Sequence, residues 1–192
     1  EACRRCGIHV LPWVNAFVRD LSRIDEHQTH GMEEFKSLFG EDYLKGIPGR
    51  YWIHLGGRAL DTFRSVYPLK TPAQVLDTSP LSCARALADT SHFHIDLFGN
   101  YIPGLCAGLA IDMDDLGRAL PEGKYPLLDR LAAGGIGRLH RWAAENFGYS
   151  PSRDGYLNHC DLCTDIRCYL TGRAGGQFPE LSPAGFYIEA AG

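Results

Sequence analysis

His92-Phe93-His94-Ile95-Asp96-Leu97-Phe98-Gly99-Asn100-Tyr101-Ile102-Pro103-Gly104-Leu105-Cys106 decides how the chain is expected to fold. Residues 92–97 alternate strictly, which predicts a strand with Phe93, Ile95 and Leu97 turned inward. Phe98-Gly99-Asn100-Tyr101 then reads as a tight turn into a second strand, residues 101–105. The unit is a β-hairpin that delivers Cys106 at the end of its second strand, a rigid place for a ligand. On the opposite face of the first strand, His92, His94 and Asp96 share one side, because residues two apart do. An H-x-H pair with a carboxylate can bind zinc or iron, although an ordinary polar strand face or a substrate contact explains the same pattern.

Downstream, residues 126–131 and 138–147 have helical spacing, 148–155 is a loop, and 160–170 is helix-like before the glycine-rich 171–176. Cys160-Asp161-Leu162-Cys163 opens that last helix, so its two thiols lie on adjacent turns and the helix N-terminus favours their thiolate form. A chelate needs two more ligands. Cys83 and Cys106 are available in the same region, giving a predicted set of Cys83, Cys106, Cys160 and Cys163. Buried free cysteine is also a small hydrophobe, and Cys168 is taken as a helix-face residue of that kind. Cys3 and Cys6 form a further C-x-x-C, but at the C-terminal end of a predicted helix, where the dipole disfavours thiolate; both read as packing residues.

Upstream, a helix end closed by Gly7, an apolar run over 7–15, a polar stretch over 19–31, a helix over 32–39 stopped by Gly40, an apolar run over 51–55 and a helix over 58–66 give the rhythm of βα units around a parallel sheet. Gly56-Gly57-Arg58 follows the second run and could offer backbone amides and a guanidinium to a carboxylate or phosphate of a cofactor; two glycines at such a turn also occur for steric reasons alone. Gly134-Gly135-Ile136-Gly137 follows no strand, so it is a poor phosphate loop. Pro68, Pro72 and Pro80 mark a connector with a short helix over 72–76, which puts a domain boundary at 78. The expected architecture is therefore α/β: residues 1–78 form later βα units of a partial TIM-like barrel, and 79–192 a small α+β cysteine-rich domain carrying the hairpin.

The chain's 192 residues, 45% of them hydrophobic, can bury a real core. With 19 basic and 23 acidic residues and a net charge of −4, it has no basic patch for nucleic acid or an anionic membrane. Its apolar runs are too short to span a bilayer and no secretory signal is legible, so the expectation is a cytoplasmic protein. Seven cysteines is an odd number, which favours reduced, metal-binding thiols over a disulfide framework. The first residue is Glu1 and the opening reads as a helix already under way, so the chain is expected to begin within a domain.

Together, the Cys83 region, the hairpin ending at Cys106 and the Cys160/Cys163 pair resemble the C-terminal extension of radical S-adenosylmethionine (SAM) proteins with SPASM or twitch-type auxiliary iron–sulfur clusters. Phe178-Pro179-Glu180-Leu181-Ser182-Pro183-Ala184-Gly185-Phe186-Tyr187 is similar to the tails of uncharacterised members. The resemblance runs from Cys83 to Tyr187 and extends loosely to the first third. It implies one auxiliary [4Fe–4S] cluster that anchors a small-molecule or peptide substrate or passes an electron, with a reducing partner such as flavodoxin or ferredoxin. It also implies SAM cleavage at a second cluster in the parent enzyme. This chain departs from the pattern: six residues separate Gly99 from Cys106, more than the usual gap, and ligands for a second auxiliary cluster are missing. No C-x3-C-x-x-C occurs among the 192 residues, so the SAM-cleaving cluster is not expected on this chain. Two other classes fit parts of the pattern: a structural zinc module built on the same four thiolates, and a metal-dependent hydrolase built on His92, His94 and Asp96.

Overall fold

The computed structural model describes residues 5–7, 19–25, 27–91, 93–174 and 178–190. The chain divides into two compact units, Glu1–Ile53 and His54–Gly192. In the first, helix α1 (Met32–Phe39) ends at Gly40 as its glycine predicts, and α2 (Tyr43–Tyr51) follows. Phe35, Phe39 and Tyr43 stack at 5.1–6.4 Å between ring centroids, so aromatic packing joins the two short helices.

The barrel expectation meets a correction here. Residues 51–55 are not a buried strand: α2 runs through Tyr51, and Trp52 closes it in the left-handed conformation, φ 54°. Trp52 and Ile53 are exposed, so the apolar run serves no sheet. A short apolar run carries no periodicity that separates strand from helix end. The expected strand over 7–15 and the Cys3/Cys6 pair lie outside the described residues except for Cys6 and Gly7; Cys6 is exposed. No parallel strand pair occurs among the described residues.

The second unit is built on two long helices. Helix α6 (Pro126–Phe147) merges the two helices expected over 126–131 and 138–147, joined across a kink at Gly134–Gly135. Gly135 sits at φ 58°, and a Cβ there would lie 2.6 Å from the Pro80 carbonyl oxygen, so only glycine admits both the turn and the close approach. Helix α7 (His159–Ala174) packs on α6. Leu162, Ile166 and Leu170, four apart, are fully buried and meet Leu127, Ile136 and Leu139 in one cluster. Each such side chain contributes about 2 kcal/mol of apolar burial. Around them lie α3 (Ala59–Phe63), α4 (Pro72–Thr78), α5 (Ala84–Leu87) and α8 (Ala184–Ala190). Residues 54–78, expected to belong with the first third, fall in this unit: α4 packs on α7, and Lys70 and Tyr156 exchange backbone hydrogen bonds of 2.8 and 2.9 Å.

The hairpin forms as expected, β1 (Phe93–Ile95) against β2 (Asn100–Pro103), and β3 (Ile111–Asp112) extends it into a three-stranded antiparallel sheet in the order β1-β2-β3. Its facing is a second correction. Phe93, Ile95 and Leu97 are 47%, 53% and 102% exposed, because no layer among the described residues covers that side of the edge strand.

Candidate functional site

Helix α7 carries the site. Asn158 accepts hydrogen bonds from the Cys160 and Asp161 amides at 2.8 and 3.0 Å, the bonds that begin a helix. Cys160 and Cys163 therefore occupy its first turns, as the sequence predicts. Residues 161–167 are all buried, including the charged Asp161, Asp165 and Arg167. Helical spacing sorts them: positions 160, 163 and 167 lie along one face, and 161, 165 and 168 along another. A cavity opens on each face.

Toward the first face, a cavity of about 230 Å³ has all four predicted cysteines in its wall. Cys83 arrives just ahead of α5, its amide donating to the Leu131 carbonyl of α6 at 2.9 Å. Cys106 arrives in the turn beyond β2, its amide on the Pro103 carbonyl at 3.1 Å and its carbonyl accepting from Leu109 at 3.0 Å. Three separate elements thus bring four thiols to one void. All four thiols are free. Burial pushes the Cys83 thiol up to about 11 and Cys160 up to about 12, and each is raised further by neighbouring cysteines of the quartet. Burial likewise raises Cys106, with Cys163 adding to it and Arg167 opposing. The thiols stand around the cavity wall, and among the described residues no group of three or more His, Cys, Asp or Glu side chains is placed to hold a metal ion.

Arg167 shares this wall and has no counterpart in the sequence reading. It is 4% exposed. It donates to the carbonyls of Cys163 at 3.3 Å and Ala107 at 2.8 Å, to the Tyr187 hydroxyl at 3.0 Å and to Thr164 Oγ1 at 3.0 Å. None of these acceptors is a carboxylate, and among the described residues the guanidinium has no ion pair. Burial alone would lower its pKa, but Tyr187, Cys163 and Cys106 hold it raised. A buried cation without an anion is costly, and the groups around it that can become anionic are the Tyr187 phenol and the thiols. His54 and His159 also line the cavity; burial, then the charge of His54, lowers the His159 pKa, favouring neutral imidazole.

On the second face, a cavity of about 650 Å³ is lined by Cys168, Asp161 and Asp165 together with Arg58, Arg64 and Arg153. Cys168 is thus on the far side of α7 from the quartet, as expected of a helix-face residue. Asp161 is fully buried and its Oδ1 accepts from both Arg64 and Arg153 at 2.9 Å, while Oδ2 takes the Leu157 amide at 2.9 Å. Asp165 accepts from the hydroxyls of Tyr149 at 2.6 Å, Tyr156 at 2.7 Å and Ser152, and from the Ser152 amide at 3.1 Å. Burial would raise this carboxyl, but the donated hydrogen bonds win and hold it below the usual carboxylate range.

Gly56-Gly57-Arg58 sits between the two: Gly56 and Gly57 line the smaller cavity, Gly57 and Arg58 the larger. The Gly56 amide is spent on the His54 carbonyl at 2.9 Å. Gly57 has φ 55°, and a Cβ there would meet Ala107 at 3.2 Å, so backbone geometry accounts for this glycine. Of the H-x-H-x-D pattern, Asp96 caps the hairpin turn, accepting from the Phe98 and Asn100 amides and the Asn100 side chain at 2.9 Å each. His92 lies outside the described residues. No protein family, curated protein or solved structure matches the chain. No helix among the described residues is long and apolar enough to cross a membrane.

Proposed function

We propose that Cys83, Cys106, Cys160 and Cys163 hold a [4Fe–4S] cluster and that the chain is the auxiliary-cluster portion of a radical SAM enzyme. The observation that carries this is Arg167, a buried guanidinium facing four thiols across a void and lacking any carboxylate partner. Four cysteine thiolates around a cubane leave a net negative body in contact with protein, which is the counter-charge Arg167 lacks. The same charge suits Cys83, Cys106 and Cys160, which burial keeps protonated until a metal displaces their protons. A single zinc ion fits less well: with Zn–S near 2.3 Å, its sulfurs must lie about 4 Å apart around one point, whereas the thiols here ring a cavity. A cubane is larger than one ion and matches ligands mounted on the walls. The His92/His94/Asp96 hydrolase reading has lost Asp96 to the hairpin turn.

When bound, such a cluster would supply a one-electron relay. This chain's residues determine its setting. Arg167 stabilises the charge, the Ala107 and Cys163 carbonyls fix Arg167, and the buried wall formed by Leu109, Leu131 and Ile136 excludes water, the influences that set cluster potential. A four-thiolate cluster has no open iron, and the chain has no C-x3-C-x-x-C; on this reading SAM cleavage belongs to a cluster held elsewhere, fed by a reductant such as flavodoxin or ferredoxin.

Alanine substitution tests the ligand set one cysteine at a time. After anaerobic reconstitution, Cys83→Ala, Cys106→Ala, Cys160→Ala and Cys163→Ala should each retain little iron, and Cys168→Ala should retain the full amount. Full iron and sulfide in Cys160→Ala and Cys163→Ala would overturn the assignment.

A further inference from the structure

The larger cavity beside α7 is lined by three arginines, Arg58, Arg64 and Arg153, against two buried carboxylates and the exposed Asp61. Both buried carboxylates are committed internally, Asp161 to two guanidiniums and an amide, Asp165 to three hydroxyls and an amide. Arg64 and Arg153 share the single charge of Asp161; Arg64 adds only a 3.5 Å contact to the exposed Asp61. The Nε atom of each guanidinium is buried without a hydrogen-bond partner. Arg58, at the exposed rim, has no ion pair or hydrogen bond among the described residues. Opposite these cations the lining is apolar and aromatic, with Leu60, Tyr169 and Phe186. At about 650 Å³ the cavity has the size of a small-molecule site.

We propose that this cavity binds a small organic carboxylate, its charged end held by Arg58 and Arg153 and its apolar body lying against Tyr169 and Phe186. Guanidinium forks match the planar two-oxygen end of a carboxylate, and the aromatic wall suits an organic body better than it suits a bare inorganic anion. Thr164 and Gly57 line both cavities, so the ligand would sit directly across α7 from the thiol quartet. Regarding it as the substrate rests on the cluster reading above; the anion site itself does not.

Phenylacetate, phenylacetamide and inorganic phosphate are the probes, titrated by calorimetry and ligand-observed NMR into the purified chain with its metal content measured. Phenylacetate should bind in the millimolar range, roughly what ten non-hydrogen atoms support. Its neutral amide should bind about tenfold more weakly, because the charge-assisted bonds are lost. Arg58→Gln, at an exposed residue whose loss leaves the fold intact, should weaken phenylacetate by about the same factor, and Arg58→Lys should restore part of it. Equal binding of acid and amide, no binding of either, tighter binding of phosphate, or an unchanged affinity in Arg58→Gln would each overturn the proposal. Because the titration needs no iron, failure of the cluster assignment would leave this result standing, and the reverse holds as well.

Discussion

The two cavities flanking α7 answer the cost of buried charge in opposite ways. On the Asp161 face, protein supplies both signs: a carboxylate with no exposure holds two guanidiniums, and a second carboxylate is saturated by hydroxyls. On the Cys160 face, protein supplies a buried cation and four thiols, of which burial keeps Cys83, Cys106 and Cys160 neutral. On the first face the buried carboxylates are paired within the protein; on the second, under the proposed function, the pairing would come from thiolates around a bound cluster. One helix thus separates carboxylates paired with buried donors from a buried cation that faces thiols.

Substitutions at three positions test this contrast. The largest expected effect is on the side whose charges balance. Asp161→Ala leaves two guanidiniums facing each other over a lost anion and should destabilise the chain by about 3 kcal/mol, at the lower end for a broken buried pair because both arginines retain some solvent. Urea denaturation of the metal-free protein measures it; a change below about 0.5 kcal/mol would mean that the pairs carry little. On the other face, Arg167→Gln should release iron to a chelator at least about tenfold faster than the parent chain, the usual scale for a residue supporting metal ligands. Arg167→Lys, which keeps the charge but not the fork, should fall between. Equal release from all three would remove the charge argument for a cluster.

The smallest effect is pH-dependent. The Asp165 carboxyl has a depressed pKa in the fold, so its contribution is fully present above the unfolded value of about 3.9 and is lost as pH falls through the folded value. Asp165→Asn should therefore cost about 1 kcal/mol, a deficit constant from about pH 5 to 8 that shrinks below about pH 4. Denaturation midpoints across that range measure it, and a deficit that grows toward acid would contradict the sign.

The contrast also marks what the sequence made legible. The thiol quartet was readable because C-x-x-C at a helix start, a cysteine after a hairpin and another after a proline-marked connector are local patterns, each with a local cause. The hairpin was readable from Gly99 and the alternation around it, but its facing was not, since exposure of Phe93 and Leu97 depends on which layers cover them. The barrel failed at Tyr51–Leu55, where a run of apolar residues ended a helix instead of forming a strand. Arg167 was invisible for the opposite reason. Charged residues on a helix with little apolar segregation suggest solvent, and only the packing of α4, α6 and α8 around α7 reveals that this helix is enclosed. A run such as Asp161-Leu162-Cys163-Thr164-Asp165-Ile166-Arg167, with no consistent polar face, was the one available signal that its charges must find partners inside.

An iron–sulfur cluster enclosed by the four thiols is tested most directly by iron and acid-labile sulfide per chain after anaerobic reconstitution and desalting. About four of each are expected, with broad visible absorption bleached by dithionite. A colourless protein holding about one zinc and no sulfide would contradict it.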